Sequence, residues 1–334
     1  MKKILFLVIG FEKPSTKKRV LDSLEYLRSR GHKVDAAEFA KGAPGRLMQL
    51  GSLSGYDLVV IQKKLLSPAQ IKLMRSANRN LVFDFDDAVM FHEVERNEPM
   101  TGKFFVRFAH TVSSCRGVVA GNRYLAEFAA AARTGGMVDD GVVVLPTPVD
   151  TDGISPKKYT KAGRLVVGWI GTKGNMNGLL HIRGQLAELF RRFPDACLRV
   201  VSDVKPDMQG IPLEYKPWRK EDEADDLRGF DIGVMPLDDN IWTRGKGGFK
   251  LLQYMAAGVP AVASPVGINK DIIRHGVDGF LAQDDDGWFH SLTTLAGDPA
   301  LRERVGMAGR KTVEGQYSLN RYNERLAQFL ERFL

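Results

Sequence analysis

Hydrophobic and polar positions follow two alternating rhythms along the chain. Short apolar runs closed by glycine or polar residues read as buried strands. Between them, apolar residues recur every three or four positions, which is the helical repeat. The first run, Ile4-Leu5-Phe6-Leu7-Val8-Ile9, stops at Gly10. A helix is predicted from about Lys17 to Arg30, with Val20, Leu24 and Leu27 on one face and Gly31 as its stop. Strands are predicted at 33–37, 58–61, 81–85, 117–120 and 142–145. At Pro146-Thr147-Pro148 the rhythm breaks, and the stretch to Gly163, with Pro156 and Lys157-Lys158, reads as a linker. The alternation restarts at Leu165-Val166-Val167-Gly168-Trp169-Ile170-Gly171, followed by a predicted helix at about 178–193. Further strands are expected at 198–201, 231–235, 259–263 and 279–281. The segment 320–334 reads as an amphipathic helix, with Tyr322, Leu326, Phe329 and Phe333 at helical spacing.

Strands separated by helices imply βαβ units and parallel sheets. The restart at Leu165 implies that one architecture is used twice: an α/β chain of two tandem doubly wound domains facing a cleft. The expected division is 1–160 and 161–317, with the last helix, 318–334, joining the first domain. The length of 334 residues agrees, since single cores stop growing at about 250–300 residues. In such sheets ligands bind beyond the carboxyl ends of the strands.

Composition narrows the class. With 44% hydrophobic and 26% charged residues the chain is globular rather than disordered. No apolar run approaches the ~20 residues of a membrane span, and the Met1-Lys2-Lys3 start with its short apolar run does not make a signal peptide. Cys115 and Cys197 are the two cysteines, which excludes a disulfide framework and points to a reducing, cytoplasmic setting. The formal charge is +8, and it is uneven. Residues 1–160 hold 24 Lys and Arg against 17 Asp and Glu, whereas 161–334 hold 24 against 23. Clusters such as Lys17-Lys18-Arg19 and Lys63-Lys64 read either as a solvated basic face or as a surface that meets an anionic partner.

Three segments carry candidate chemistry. In Arg244-Gly245-Lys246-Gly247-Gly248-Phe249-Lys250, glycines precede a helix predicted from Phe249 to about Ala257. Free N–H groups at that helix start and Lys246 and Lys250, four residues apart on one side of the first turn, suit a diphosphate; the alternative is an ordinary glycine-rich loop with solvated lysines. The second segment, Gly168 to Gly174, ends the first strand of the second half and offers Gly171, Thr172 and Lys173 to a phosphate, with Trp169 read as packing. It fits neither G-x-G-x-x-G nor a P-loop. The third, Phe83-Asp84-Phe85-Asp86-Asp87-Ala88, places carboxylates at the end of a strand. These either position or deprotonate a hydroxyl, bind a divalent ion, or cap the following helix. His92 is placed to join them. No Ser/His/Asp triad assembles.

From Phe249 to Gly267, Phe-Lys-Leu-Leu-Gln-Tyr-Met-Ala-Ala-Gly-Val-Pro-Ala-Val-Ala-Ser-Pro-Val-Gly resembles the donor-site signature of family 4 glycosyltransferases of the GT-B fold. Asp231-Ile-Gly-Val-Met-Pro-Leu237, Gly276-Val-Asp-Gly-Phe-Leu281, the interdomain-like Leu145 to Asp152 and Tyr317-Ser318 agree with it. The resemblance implies two Rossmann-like domains and transfer of a sugar from a nucleotide-sugar to an acceptor hydroxyl, with retention and without an obligatory metal or cofactor. It places the donor phosphates at Gly171, Thr172, Lys173, Lys246 and Lys250. It places the donor sugar and ribose at Gly247, Gly248, Phe249 and Gln253, and the base near Trp218. Lys250, Asp86 and Asp87 are the catalytic candidates, the aspartates on the acceptor side. Two departures stand out. Of the family's two glutamates eight positions apart, the second falls on Gln253 and the first on Gly245.

The expected activity is therefore a cytoplasmic hexosyl or related transfer that builds a surface polysaccharide or glycolipid. Its expected partners are a nucleotide-sugar and a glycan, glycolipid or other hydroxyl acceptor, with peripheral contact to an anionic membrane on its inner face. A nucleotide-sugar epimerase or hydrolase, and a non-catalytic nucleotide-sugar-binding protein, are the competing expectations. A dehydrogenase is disfavoured because neither half carries the dinucleotide fingerprint, and nucleic-acid binding because no recognisable module interleaves the basic residues with aromatics.

Overall fold

The computed structural model describes residues 1–91, 102–134, 141–159 and 163–334. His92 lies outside the described residues. The chain folds as two compact units: Met1–Pro148 with Asn240–Gly247 and Leu319–Leu334, and Val149–Asp239 with Gly248–Ser318.

In the first unit the elements are β1 (Lys3–Val8), α1 (Pro14–Arg19), α2 (Leu24–Ser29), β2 (Lys33–Glu38), α3 (Ala43–Ser52), β3 (Leu58–Gln62) and α4 (Pro68–Ala77). They continue with β4 (Leu81–Phe85), α5 (Lys103–Ser114), β5 (Gly117–Ala120), α6 (Arg123–Thr134) and β6 (Val142–Val144). The strands form one parallel sheet in the order β2-β1-β3-β4-β5-β6. Alternation along each strand builds a core on both faces. Leu5, Leu7, Val59, Ile61 and Phe83 pack with Leu53, Ile71, Met74, Phe108 and Leu125 beneath α3 to α6. Ile4, Phe6, Val8 and Val60 face the other way, toward Val20, Leu27, Leu326 and Leu330.

The second unit repeats the plan with β7 (Val166–Gly171), α7 (Met176–His181), α8 (Arg183–Arg192), β8 (Cys197–Ser202), β9 (Leu213–Pro217), α9 (Glu223–Arg228) and β10 (Ile232–Met235). It continues with α10 (Phe249–Ala256), β11 (Ala261–Ala263), α11 (Asn269–Ile272), β12 (Phe280–Leu281), α12 (Asp285–Gly297) and α13 (Pro299–Gln316). Its sheet is parallel in the order β12-β11-β10-β7-β8-β9. The final helix, α14 (Leu319–Glu331), belongs to the first unit, where the Tyr322 hydroxyl donates to the Arg19 carbonyl at 3.1 Å.

Several expectations change. The helix expected over 17–30 is divided into α1, a 3-10 turn at Leu21–Ser23 and α2. The buried residues of α1 are Thr16 and Arg19, which turn inward to polar partners, so its inner face is not the apolar face that α2 buries. The helix expected over 178–193 is interrupted at Ile182, between α7 and α8. Segment 149–159, expected in the first domain, packs with the second unit. There Arg310 donates to the carbonyls of Thr151 (2.7 Å) and Ile154 (2.6 Å), and Lys157 N–H to Ala257 O (2.8 Å).

Candidate functional site

Two side-chain clusters sit at carboxyl ends of strands, one in each unit. In the first unit, the β3–β4 register sets Gln62 opposite Asp84 and brings Lys63 beside the turn that follows β4. Lys63 is the one non-glycine with positive φ among the described residues, at 59°. This costs of order 1 kcal/mol and is held by tertiary contacts. Its N–H donates to Asp84 O at 2.7 Å, and its Nζ lies 2.9 Å from Asp86 Oδ1 and also pairs with Asp87 Oδ2. The contact to Asp86 Oδ1 is one of charge, without the alignment of a hydrogen bond. Burial would raise the Asp86 pKa, but Lys63 and Arg19 outweigh it and hold the carboxyl below the ordinary aspartate value. Burial likewise pulls the Lys63 ammonium down, and Asp86 and Asp87 more than restore it.

Beneath them Arg19 is fully buried. Its Nε and Nη2 donate to the two Asp84 oxygens (3.2 and 2.5 Å), and Nη1 donates to Leu145 O (2.8 Å) and Thr147 Oγ1 (3.3 Å). Burial opposes its charge, and Asp84, Tyr322 and Asp86 together outweigh it; at Asp84 itself burial outweighs Arg19 and raises the carboxyl. The Thr147 hydroxyl in turn donates to Asp86 Oδ2 at 3.3 Å. Arg19 and Lys63 are thus structural cations in an ion-pair network, not members of a solvated basic face. Lys17 and Lys18 also pair, with Glu12 (2.8 Å) and Asp22 (3.4 Å). Among the described residues no three His, Cys, Asp or Glu side chains gather as metal ligands.

The glycine-rich segment is divided between the units. Residues 240–247 pack with the first, where Asn122 Nδ2 donates to the carbonyls of Arg244 and Lys246, each at 3.1 Å. The Tyr124 hydroxyl donates to Ile241 O at 3.2 Å. Gly245 lies against the turn after β4: a Cβ there would meet Ala88 Cβ at 2.7 Å and Ala88 N at 3.0 Å. A side chain at 245, such as the carboxylate that the resemblance expects there, would press on Ala88 and require the turn to shift. Gly248, at φ 65°, makes the sharp turn into α10, which starts only at Phe249. Lys246 is therefore extended chain outside the helix, and its Nζ stands 6.0 Å from the Trp242 ring centre. The expected helical pairing of Lys246 with Lys250 does not form. Gly247 faces Thr147 and the Asp86 carbonyl at ordinary contact distance.

In the second unit, the Lys250 stem crosses the end of β7. A Cβ on Gly171 would lie 2.7 Å from its Cε and 2.9 Å from its Nζ. The ammonium is 4.8 Å from the ring centre of Trp169, which is buried and gives the cation an aromatic face. Tyr254, one turn along α10, accepts from Ile170 N–H (3.1 Å) and donates to Val234 O (3.3 Å), clamping the helix to β7 and β10. Thr172 and Lys173 are exposed just beyond Gly171. Thr172 Oγ1 accepts from Asn175 Nδ2 (3.2 Å), and Asp203 accepts the Lys173 N–H (2.8 Å). Phe249 is half-buried against the core. Gln253 is buried, and its Nε2 donates to Glu223 Oε1 at 2.8 Å; the indole N–H of the exposed Trp218 donates to Glu223 Oε2 at 2.9 Å.

The structure thus joins Gly171 with Lys250, Gln253 with Trp218 through Glu223, and Asp86 with Asp87 through Lys63. Of the residues that do the joining, Lys63 stands out in the sequence only as part of a basic cluster, and Glu223 not at all. Asn122 carried a signal, an amide just before a helix start; Glu223 was hidden in an acidic run, and Arg19 and Lys63 among other cations.

Residues 164–298 match the family model for group 1 glycosyl transferases. A curated Corynebacterium glutamicum protein, a GDP-mannose-dependent monoacylated alpha-(1-6)-phosphatidylinositol monomannoside mannosyltransferase, is 30% identical over 149 residues. That match covers 42% of this chain and 36% of the relative, so the chain is matched to about a third of the curated relative's length. Among solved structures, Anabaena Alr3699/HepE in complex with UDP-glucose superposes with a TM-score of 0.74 at 15% identity, covering 99% of this chain and 100% of that one. The chain has the GT-B fold. Sucrose-phosphate synthase from Thermosynechococcus elongatus (TM-score 0.71, 13% identity, 99% of each chain) shares it. So does the lipopolysaccharide outer core galactosyltransferase WaaB (0.68, 12%, 99% and 100%). The GT-B resemblance drawn from the Phe249–Gly267 signature agrees with all of these.

Proposed function

We propose that this GT-B chain is a retaining glycosyltransferase that moves a hexosyl or related sugar from a nucleoside diphosphate sugar to an acceptor hydroxyl. The observation that carries the reading is Lys250, laid against Gly171 at the carboxyl end of β7 inside the region that matches the group 1 family. A fixed ammonium beside backbone at a strand end suits a departing diphosphate, whose charge grows in the transition state. The UDP-glucose held by the Anabaena structure and the GDP-mannose dependence in the curated relative's name support the donor class.

In this reading Lys250, Gly171, Thr172, Lys173 and Lys246 receive the phosphates. Gly247, Gly248, Phe249 and Gln253 receive the sugar and ribose, and Trp218 receives the base. The bond from the anomeric carbon to the diphosphate oxygen breaks while the acceptor oxygen bonds to the same face. The acceptor proton passes to the departing phosphate oxygen. Asp86, held below its ordinary pKa, is a weak base but a good acceptor of a hydroxyl hydrogen bond; with Asp87 it orients the acceptor. Lysines and N–H groups meet the leaving-group charge, so no metal is required. The acceptor is a surface glycan or a glycolipid at the inner face of an anionic membrane, reached from the cytoplasm.

Incubation with UDP-, GDP- and ADP-sugars and a panel of glycan and lipid acceptors tests this. Sugar transfer with retained configuration is expected. Nucleotide release with water alone would instead identify a hydrolase, and binding without turnover across the panel a non-catalytic protein.

A further inference from the structure

We propose that Glu223 receives the 2′ and 3′ hydroxyls of the donor's ribose, with Gln253 and Trp218 as the residues that aim it. The assignment rests on the nucleoside diphosphate donor proposed above and names the group that reads its diol.

Glu223 stands in the acidic run 221–226 and differs from its neighbours there. Lys216 pairs with Asp222 at 3.1 Å and with Asp226 at 2.7 Å, and Arg228 pairs with Asp225. Those three carboxylates are spent on cations. Glu223 is held by neutral donors instead: Oε1 accepts from the Gln253 amide at 2.8 Å and Oε2 from the Trp218 indole N–H at 2.9 Å. A carboxylate carries about four lone-pair sites, so each oxygen keeps one for a ligand. The two holders fix the direction of those sites and leave the charge in place. Gln253 is buried and spends its amide on this contact, so it acts through the carboxylate. The Trp218 ring is 46% exposed and gripped by its edge, which leaves a face for the base.

The position along the sheet points to the same ligand. Trp218 directly follows β9, and its backbone N–H donates to the carbonyl of Ser202, the last residue of β8, at 3.0 Å. Strand β8 lies between β9 and β7, and at the end of β7 Lys250 meets Gly171. The phosphate candidate and Glu223 therefore share the carboxyl edge of one sheet, where ligands bind. Gln253 is three residues from Lys250 on α10, so the two are neighbours on one side of that helix. A carboxylate repels a diphosphate and attracts a hydrogen-bond donor beside it. In a nucleoside diphosphate the donor nearest the phosphates is the ribose diol, whose two O–H groups suit two carboxylate oxygens. An acidic residue takes the ribose hydroxyl in dinucleotide-binding sheets for the same reason.

Calorimetric titration of the full chain with UDP, GDP and their 2′-deoxy counterparts tests this. The parent should bind the ribonucleotide about ten-fold more tightly than the deoxy form, since the lost hydrogen bond is to a charged group. In Glu223→Ala the two forms should bind within about two-fold of each other, with the deoxy form bound as by the parent. Gln253→Leu and Trp218→Phe, which remove the holding N–H and keep the bulk, should each reduce the preference. A merely structural role would weaken both forms alike and leave their ratio unmoved. A preference kept in Glu223→Ala, or a parent without one, would overturn the proposal while leaving the donor reading standing. A loss in Glu223→Ala confined to GDP would give the carboxylate to the base and overturn it too. A parent that binds neither nucleotide would overturn the donor reading, and this assignment with it.

Discussion

Gln253 on α10 donates its amide N–H to Glu223 at the start of α9, across 2.8 Å. The family carboxylate expected at 253 is thus replaced by an amide that holds a carboxylate from a neighbouring helix, with Trp218 on its other oxygen. Glu223→Ala should weaken binding of a nucleoside diphosphate about ten-fold or more, because a hydrogen bond to a charged group is worth about 1.5–3 kcal/mol. Gln253→Glu sets two carboxylates face to face and should weaken it as well. Calorimetric titration with UDP and GDP checks both, and unchanged affinity in Glu223→Ala would remove Glu223 from the donor site.

Lys250→Ala should lower kcat by about 10²–10³ while folding survives, the usual loss when one fixed charge partner of a developing anion is removed. The side chain is half-buried and its loss opens no core cavity. Steady-state kinetics beside a melting curve separate the two effects, and near-normal turnover would sink the phosphate assignment.

Gly245→Ala should destabilise the first unit by about 1–3 kcal/mol, the range for forcing atoms into a packed site. The new Cβ would meet Ala88 at 2.7 Å. Ala88→Gly in the same chain should recover part of the loss, since the 3.0 Å approach to Ala88 N remains. Denaturant unfolding measures this. Equal stability of Gly245→Ala and the parent would show that the loop shifts freely.

Lys63→Met should destabilise the first unit by about 3 kcal/mol, the lower end of the cost of leaving buried carboxylates unpaired, because Asp87 is 37% exposed. The pH dependence follows from the directions of the shifts. The Asp86 pKa is lowered by folding, so its contribution is present above the unfolded aspartate value of about 3.9 and is lost as pH falls through the lower folded value. The Lys63 pKa is raised, so its contribution is complete below the unfolded lysine value of about 10.4 and is lost as pH rises through the higher folded value. The share of stability that comes from the Asp86–Lys63 pair should be flat from about pH 5 to about pH 10, and Asp86→Asn should flatten its acid limb. Unfolding free energies across pH test this.

The fold was largely legible because its signal is local. Leu81-Val-Phe-Asp-Phe85 and Val166-Val-Gly-Trp-Ile-Gly171 declare strands buried on both faces without reference to any neighbour. Edge strand β9, Leu-Glu-Tyr-Lys-Pro, escaped because it is half-buried, charged and ends in proline, so it lacks the apolar run that marks its neighbours. Of the candidate site, Lys250 and Gln253 were picked out by the string from Phe249 to Gly267, whereas the approach of Lys250 to Gly171 is made by segments far apart in the chain.

By itself the sequence determined two successive α/β units, their strand positions and the residue types at the strand ends, because hydrophobic periodicity is a property of adjacent residues. Only the tertiary structure decided which charges are spent. Arg19 meets Asp84 across 65 positions and Lys63 meets Asp86 across 23, and burial of either pair depends on strands side by side in the sheet. Lys41, Arg46, Lys64, Lys72, Arg75 and Arg79 look the same in sequence and remain in water. A cation's role is set by the dielectric and the partners around it, and both are made by distant segments.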